Sequence, residues 1–471
     1  MSSNSSRELP TDRLATSDQQ GRRIYLYSAE VKGRFRTART WTHSILILVF
    51  LLLPWMHVHG HQAILMNIMQ RRFAIFGLTF WAHDAPMLVF LIGGAALTLG
   101  LVTAVWGRAW CGWACPQTVF IDSLFRVIER VVEGDHVARR KLDTGGWTFD
   151  KFYKKCLKWL LYSTFTLVVA HSFIAYFVGT DELSRMIRHS PAENPLSFSV
   201  MLAITGFILF DFGWFREQFC TMLCPYGRFQ CLLMDEHSTL VTYDVRRGEP
   251  RKGLNSEGTP GGDCVNCYRC VQVCPTGIDI RRGTQLECIG CTACIDACDD
   301  VMTRLHKPRG LIRHASAVAL QGGKSKIIRG RTIVYSLLLA GIIMGLITSI
   351  ATRRPVEAAF IRATDTPYQE IKTSTGSSVI INHFKTDLSN QSFDGAVIDL
   401  LPTAEYANRG VEFVFAGRPL HIQAGQKAGA EFFIKFPKSL LVNGHTQIAL
   451  NIMNGSAIVL TEELSLVGPY L

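Results

Sequence analysis

No cysteine follows Cys298 in this chain of 471 residues; all 14 lie at or before that position. The remaining C-terminal part therefore needs no disulfide. The sequence also lacks a Gly-rich nucleotide-binding fingerprint, since its Gly93-Gly94 pair lies inside a long apolar run. We therefore expect no direct NAD(P)H or flavin site, so that any electrons must come from another protein or from a quinol.

Eight of the cysteines form two copies of one spacing, C-x₂-C-x₂-C-x₃-C, between residues 264 and 298. This is the bacterial ferredoxin spacing for two cubane [4Fe–4S] clusters, in which the last cysteine of each run binds the other run's cluster. The spacing therefore assigns one cluster to Cys264, Cys267, Cys270 and Cys298, and the other to Cys288, Cys291, Cys294 and Cys274.

Structural zinc is the alternative for paired C-x₂-C units. Two complete runs would leave zinc with surplus ligands, so the spacing favours iron–sulfur clusters. The second run departs from the usual pattern at one position, where Asp299 stands in place of the proline that follows the last cysteine. We interpret this part of the chain as an electron carrier.

Five apolar stretches approach the roughly 20 residues that a helix needs to cross a bilayer. Buried core helices are the alternative for any one of them, but five in one chain favour a membrane protein with the lipid bilayer as a partner. We expect transmembrane α-helices over about 41–60, 86–106, 157–178, 196–215 and 332–351.

Lys and Arg are distributed unevenly over the connecting segments. Their number is 8, 9 and 17 in segments 1–40, 107–157 and 216–331, but two each in 60–85 and 179–195. By the positive-inside rule, the basic N-terminal tail and the two larger loops face the bacterial cytoplasm, together with a ferredoxin module at about 258–305. Five crossings of the inner membrane then place residues 352–471 in the periplasm. The formal charge of +11 thus reflects topology and requires no nucleic-acid partner.

The region 352–471 differs from the rest, because turn signals such as Asn443-Gly444 and Asn454-Gly455 separate short β-rich runs. The strand rhythm predicts a small β-sandwich of immunoglobulin type, although the Cys…Trp…Cys pattern is absent. Docking to a partner is its expected role. The runs are Ser378–Ile381, Val411–Phe415, Glu431–Phe436 and Gln447–Ile452.

A second cysteine pattern, C-x₃-C-P, occurs twice in the membrane half. In each copy an aromatic residue precedes the first cysteine, and another (Phe120 or Phe229) follows the proline four residues on. On a helix, positions i and i+4 lie about 5–6 Å apart between Cβ atoms on one face. Each pair is therefore a candidate for binding a soft metal or for two-electron disulfide exchange, with packing of small buried cysteines as the alternative. The pairs are Cys111 and Cys115 before Pro116, and Cys220 and Cys224 before Pro225.

Three histidines on alternate residues, His57, His59 and His61, follow the first apolar stretch. Imidazole is a ligand of Cu(II), so these residues are a second candidate copper site on the exported side. Solvated histidines at a membrane interface are the alternative.

The two C-x₃-C-P motifs, the two-cluster ferredoxin module, a further helix and an exported β-domain together resemble the CcoG/FixG/RdxA family. These are accessory proteins of the cbb3-type cytochrome c oxidase. The resemblance covers nearly the whole chain from about residue 22. It is most specific in the stretches Arg71–Trp81, Trp110–Val119, Arg216–Gln230 and Arg247–Arg251.

The resemblance implies a membrane redox protein that helps to assemble the oxidase by reducing Cu(II) to Cu(I). Copper, oxidase subunits or copper chaperones, and an unidentified electron donor are the partners that follow from it. Because Cu(I) prefers thiolates, Cys111, Cys115, Cys220 and Cys224 are the candidate copper-handling residues. The alternatives are an electron-transfer subunit of a quinol dehydrogenase of the NapH type, or a redox-sensing assembly scaffold.

Overall fold

The computed structural model describes residues 16–17, 20, 22–58, 61–69, 72–81, 85–252, 261–352, 354–364, 366–372, 378–392, 394–415 and 417–470. The chain divides into two compact units. One comprises residues 1–67 and 89–344, and the other comprises residues 68–88 and 345–471.

Five helices in the described part of the chain are long and apolar enough to span a membrane. The first ends earlier than about residue 60, because Pro54 lies in a 3₁₀ turn that closes it. The third begins earlier than about residue 157, because the Thr148 side chain caps it by accepting from the backbone N–H of Lys151. In chain order, these membrane helices span Arg34–Trp55, Met87–Trp106, Phe149–Val178, Pro195–Phe215 and Gly330–Ala351.

The fifth membrane helix shows why these segments need a lipid environment. Thr332 is its only buried residue, while Leu337 and Met344 are about two-thirds exposed. A continuous apolar surface of this length is costly in water, whereas a helix satisfies all its backbone groups inside a bilayer. The chain is therefore a multi-pass membrane protein.

Short elements connect the membrane helices. Before the second lie strands His57–Val58, His61–Gln62, Ile64–Asn67, Arg72–Ile75 and Leu78–Trp81. Between the second and third lie Ala109–Trp113, Pro116–Phe120, a π-helical turn at Ile121–Phe125, Arg126–Glu133 and His136–Thr144. Helix Thr180–Arg188 follows the third. The fourth ends in a π-helical turn at Asp211–Phe215, followed by a further one at Phe219–Leu223 and by helix Pro225–Leu233.

The cysteine-rich region folds around its own small core. Strand Leu240–Tyr243 pairs antiparallel with Ile312–Ala315, so the folded module extends on both sides of residues 258–305. Val241, Ile295 and Met302 are buried between this pair and the helices. The other elements of the region are Val245–Gly248, Arg269–Gln272, Ile280–Arg282, Ala293–Arg304 and Ala317–Leu320.

Buried ion pairs connect the first membrane helix to the helix that follows the first C-x₃-C-P motif. The Asp122 carboxylate lies 2.6, 2.7 and 3.3 Å from guanidinium nitrogens of Arg36, Arg39 and Arg126. Burial raises the pKa of Asp122, but the neighbouring guanidinium groups outweigh burial and hold the pKa far below its usual range. The carboxylate is therefore ionised and paired at any physiological pH.

The C-terminal region is a sandwich of two antiparallel sheets. The predicted β-rich runs fall in these strands, apart from Val411, which directly precedes one of them. The first sheet contains Glu412–Phe415, Lys427–Pro437, Ser378–Asn390 and Val356–Arg362 in that order, with Gln369–Lys372 also paired to Ser378–Asn390. The second contains Leu420–Ile422, Ala396–Pro402, His445–Asn454 and Ala457–Val467; a short helix, Ala404–Asn408, completes the domain.

The sandwich core lies between the two sheets, where alternate residues of each strand point inward. Phe432 is fully buried there, and its ring lies within 6 Å of the rings of Phe360, Phe384 and Phe413. The next residue, Phe433, points to the other face and is 41% exposed.

We expect Phe432→Ala to destabilise the β-domain by about 3–5 kcal/mol, because the truncation leaves a large cavity among packed rings. Limited proteolysis of the full chain in detergent, across a urea series, measures the loss. Phe433→Ala is the matched control and should shift the midpoint much less. Equal shifts in the two variants would contradict the assignment of the core face.

Candidate iron–sulfur and thiolate sites

Two cavities in the cysteine-rich region are lined by cysteines, in the same two sets as the ligand assignment. The first is lined by Cys264, Cys267, Cys270 and Cys298. The second is lined by Cys274, Cys288, Cys291 and Cys294, with Cys270 also in its wall. The residues present thus fit two cubane clusters with exchanged fourth ligands. The ligation itself stays a prediction.

The two cysteine runs have the same backbone conformation. Asn266 and Tyr268 in the first run have φ of 57° and 58°, and the equivalent Gly290 and Thr292 have φ of 66° and 65°. Left-handed backbone is unfavourable for Tyr and for β-branched Thr, and is found where surrounding groups require it. The repeated left-handed turns curve each loop around its cavity.

Seven of the eight ferredoxin cysteines are buried or half-buried, and Cys267 is exposed. Burial raises the pKa of Cys288 and of Cys298 to about 12. Deprotonation at neutral pH therefore requires a positively charged partner, and metal coordination provides one. This is the behaviour expected of ligands that fold around a metal centre.

The two C-x₃-C-P motifs also share one backbone geometry. The N–H of Cys115 donates to the carbonyl oxygen of Trp110 at 2.9 Å, and the N–H of Cys224 donates to that of Phe219 at 2.9 Å. Both second cysteines are extended and directly precede a proline that begins the next helix. Neither motif is therefore one continuous helix with its two cysteines on a single face, as i and i+4 positions would have been.

The structure brings the two motifs together. Burial raises the pKa of Cys220, and the charges of Cys115 and Cys111 raise it further. Burial likewise raises the pKa of Cys111 to about 11 and that of Cys115, on which Cys224 also acts. Gln230, in the helix after the second motif, donates from Nε2 to the sulfur of Cys111 at 3.2 Å, so the two motifs are in contact. We call their four cysteines the thiol quartet: Cys111, Cys115, Cys220 and Cys224.

The thiol quartet lies directly beside the second cysteine run. A Cβ on Gly112 would lie 2.7 Å from the carbonyl oxygen of Ile289 and 2.9 Å from the Cα and N of Cys291. Cys111 packs against the same buried residues. Only glycine permits this approach of two backbones. Gly112 follows Cys111 directly, so the first C-x₃-C-P motif is in contact with the backbone of Cys291, a predicted cluster ligand.

Arg108 ties three backbone segments together at this contact. It is 9% exposed, and its guanidinium donates to the carbonyl oxygens of Gly227, Leu286 and Cys288. The segment after the second C-x₃-C-P motif and the loop before the second cluster run are therefore held by one side chain.

The first membrane helix makes two further connections to this region. The Arg39 Nε donates to the carbonyl oxygen of Gly112 at 2.6 Å. The Asp296 carboxylate accepts from the backbone N–H groups of Phe35 and Arg36, at 3.3 and 2.7 Å. Asp296 lies between cluster cysteines Cys294 and Cys298, so the ferredoxin module itself caps the start of this membrane helix.

The histidine candidate is not assembled in the described residues. His57 pairs with Gln62, and Val58 pairs with His61, in a short antiparallel hairpin. Paired residues share a face and successive residues alternate, so His57 and His61 lie on opposite faces. His59 lies outside the described residues. Within the part of the chain that is described, no three His, Cys, Asp or Glu side chains are close enough to hold one metal ion.

Gly112, Arg108, Arg39 and Asp296 were not identified from the sequence. Their roles depend on contacts between segments far apart in the chain, which residue spacing does not reveal. The one local signal was the pairing of Asp122 with Arg126 at i and i+4.

Three parts of the chain match family models. Residues 215–317 match a 4Fe-4S dicluster domain, residues 84–134 match a 4Fe-4S binding domain, and residues 346–469 match an IG-like fold at the C-terminus of FixG. With the five membrane-length helices, these matches confirm the predicted fold class.

Curated relatives match over most of the chain. Protein RdxA of Cereibacter sphaeroides is 38% identical over 72% of this chain and 74% of RdxA, and RdxB of the same organism is 36% identical over 73% and 75%. The nitrogen fixation protein FixG of Rhizobium meliloti is 39% identical over 65% and 61%. A crystal structure of a FixG-related protein from Vibrio parahaemolyticus is 13% identical in sequence. The match covers 24% of this chain and 94% of the Vibrio chain, with a TM-score of 0.18.

We expect Gly112→Ala to weaken the packing of the second cysteine run against the first C-x₃-C-P motif. Overpacking between two backbones costs about 1–3 kcal/mol. The variant should lose its iron–sulfur absorption at a lower temperature than the wild type. Gly146→Ala is the matched control, because no heavy atom lies within 4 Å of the position of its added Cβ. Identical temperatures for both variants would contradict the contact.

Proposed function

This chain belongs to the FixG/RdxA family of membrane iron–sulfur electron-transfer proteins, and from that premise we propose that it reduces Cu(II) to Cu(I) at the thiol quartet. The product would supply the copper site of a cbb3-type cytochrome c oxidase during its assembly. The contact of Gly112 with Cys291 is the observation that carries this proposal.

The four thiols suit the product of this reaction better than its substrate. Cu(I) prefers soft sulfur ligands, whereas Cu(II) prefers nitrogen and oxygen in tetragonal geometry. A Cu(II) ion that meets the thiol quartet is therefore in a ligand set that stabilises the reduced state. The reduction consumes one electron for each copper ion.

The clusters, when bound, each supply one electron at a time. The residues of this chain position the thiol quartet beside the cluster loop. Gln230 donates from Nε2 to the sulfur of Cys111 at 3.2 Å and orients that side chain. The four quartet cysteines are half-buried, and partial removal from water strengthens the electrostatic interactions in the site. Arg108 holds the segment after the second motif against the cluster loop.

The orientation in the membrane follows from the charge distribution and is part of the proposal. The basic loops that hold the ferredoxin module and the thiol quartet face the cytoplasm, where iron–sulfur assembly and a reducing donor are present. The β-domain then faces the periplasm. There it would dock an oxidase subunit or a copper chaperone, since none of its described residues form a metal site.

A second candidate function is electron exchange with a membrane quinol. An apolar cavity lies between the end of the second membrane helix and the predicted cluster ligand Cys288. Trp106, Leu286 and His314 are among its lining residues. An apolar cavity with one imidazole at a membrane-helix end is chemically suited to a quinone headgroup.

We expect Cys111→Ser and Cys220→Ser to lose most of the copper reduction while keeping their ferredoxin clusters. The assay uses anaerobic protein reduced with dithionite and freed of excess reductant. Cu(II) is added, cluster oxidation is followed optically, and Cu(I) is measured with a specific chelator. Cys156→Ser, at an exposed cysteine of the third membrane helix, is the control.

Unchanged copper reduction in both quartet variants would exclude the thiol quartet as the reduction site. If Cu(II) leaves the wild-type clusters reduced while a water-soluble quinone oxidises them, the quinol-linked function replaces the cupric reductase.

We expect external protease to digest the β-domain in spheroplasts and to leave the ferredoxin module intact until the cells are lysed. The positive-inside distribution of Lys and Arg is the physical reason. Antibodies to tags at the two ends of the full chain report the fragments. Digestion of the ferredoxin module in intact spheroplasts would reverse the topology.

A further inference from the structure

A cavity lined by five arginines lies between the N-terminal segment, the start of the first membrane helix and the helices that follow the first C-x₃-C-P motif. Its volume is about 40 Å³, whereas one water molecule needs about 10–15 Å³. The cavity therefore has room for a small anion. The residues that define this arginine cavity are Arg36, Arg39, Arg126, Arg130 and Arg139.

Two of the arginines are buried and each keeps an unused donor. Arg39 is 2% exposed, and Arg139 is 4% exposed. Arg39 uses Nε on the carbonyl oxygen of Gly112 and Nη1 on Asp122, while Arg139 uses Nη1 on Glu129 and Nη2 on a backbone carbonyl. Among the described residues, the Nη2 of Arg39 and the Nε of Arg139 have no hydrogen-bond partner. Buried donors in native proteins are normally satisfied, so these two call for a ligand in the cavity that both residues line.

Positive charge is in excess around the arginine cavity. One of the four carboxylates that pair with its arginines, Glu129, is shared with Arg216. Six guanidinium groups thus face four carboxylates in the part of the chain that the structure describes. Uncompensated charge is costly at a buried site, so a bound anion would stabilise this region. The four carboxylates are those of Glu30, Asp122, Glu129 and Glu217.

The unused donors and the charge together select an oxyanion. A guanidinium group presents its N–H donors in a rigid plane that matches the oxygens of phosphate. The excess positive charge repels a metal cation. A water molecule would accept the hydrogen bonds but would leave the charge uncompensated. A phosphate group supplies both the acceptors and the negative charge.

The position of the cavity gives two sources for such a group. Arg36 and Arg39 belong to the first membrane helix, close to its start at Arg34. Basic pockets beside the ends of membrane helices bind the headgroups of anionic lipids. A free phosphate ion and a lipid headgroup are therefore the two sources of the same chemical group.

Part of the cavity wall belongs to the ferredoxin module. Val273, Pro275 and Ala293 line it, and they are the sequence neighbours of the predicted cluster ligands Cys274 and Cys294. Net charge is one of the factors that set the potential of an iron–sulfur cluster. An anion at this place would make the adjacent cluster harder to reduce.

From these observations we propose that the arginine cavity binds one oxyanion of the phosphate class, with Arg39 and Arg139 as donors, and that the bound anion lowers the reduction potential of the adjacent cluster. This goes beyond copper reduction, because the site is formed by residues outside the thiol quartet. It holds whether copper or a quinone takes the electrons.

The test measures binding to the full, iron-loaded chain after delipidation in detergent. Equilibrium dialysis with radiolabelled inorganic phosphate, in chloride at constant ionic strength, detects the free ion. Native mass spectrometry with added phosphatidylglycerol detects the headgroup. We expect at least one of these ligands to saturate at about one per chain, because the cavity holds a single small anion. In an optical redox titration, one cluster should then titrate at a more negative potential with the ligand than without it.

Arg139→Lys is the informative variant, because it keeps a positive charge beside Glu129 but loses the planar fork of donors. We expect it to bind the ligand about tenfold more weakly, the effect of losing one hydrogen bond to a charged group. Arg140→Lys, at the exposed arginine next in sequence, is the matched control and should bind as the wild type does.

Saturation by inorganic phosphate supports a site for the free ion, and saturation by phosphatidylglycerol alone supports a site for a lipid headgroup. Binding of neither ligand, or binding of equal strength in Arg139→Lys, would overturn the proposal. The wild type decides the matter if Arg139→Lys does not fold. Cluster potentials that a saturating ligand leaves unchanged would contradict an anion beside Cys274 and Cys294.

Discussion

The approach of the Gly112 backbone to the Cys291 backbone is the constraint on which the organisation of this protein depends. It leaves no space for a side chain, and it lies between the first C-x₃-C-P motif and the second ferredoxin cysteine run. Arg108 and Arg39 hold the carbonyl groups around it. Any electron that moves between the ferredoxin module and the thiol quartet benefits from this contact, because electron transfer slows steeply with distance.

The charged side chains near this contact, among them Arg39 and Asp122, are buried. An isolated ion in a protein interior is costly, but a pair with good geometry and further hydrogen bonds offsets the desolvation. Asp122 has three arginine partners, and Glu129 lies 2.6 Å from Arg139 and 2.7 Å from Arg216. Removing one partner would leave an uncompensated charge. The network therefore fixes the relative positions of the first membrane helix and the segments that carry the C-x₃-C-P motifs.

The sequence predicted the elements of this molecule better than their contacts. Ligand spacing, apolar length and strand rhythm are local properties, so the cluster runs, the five membrane helices and the β-sandwich could be read from them. The proximity of the two C-x₃-C-P motifs depends on tertiary packing. Helical spacing instead predicted two separate cysteine pairs, one in each motif. The alternate histidines are separated for a similar reason, because hairpin register places His57 and His61 on opposite faces.

The ferredoxin runs and the C-x₃-C-P motifs each occur twice, and one copy alone does not supply four cysteine ligands. In the ferredoxin cavities the fourth cysteine comes from the other run, and in the quartet two of the four thiols come from the other membrane repeat. A site divided in this way does not exist in the unfolded chain, so the free energy of metal binding becomes free energy of folding. Metal bound at the quartet would therefore stabilise the packing of the two membrane repeats against each other. The same ions that carry the chemistry would hold the contact at Gly112 in place.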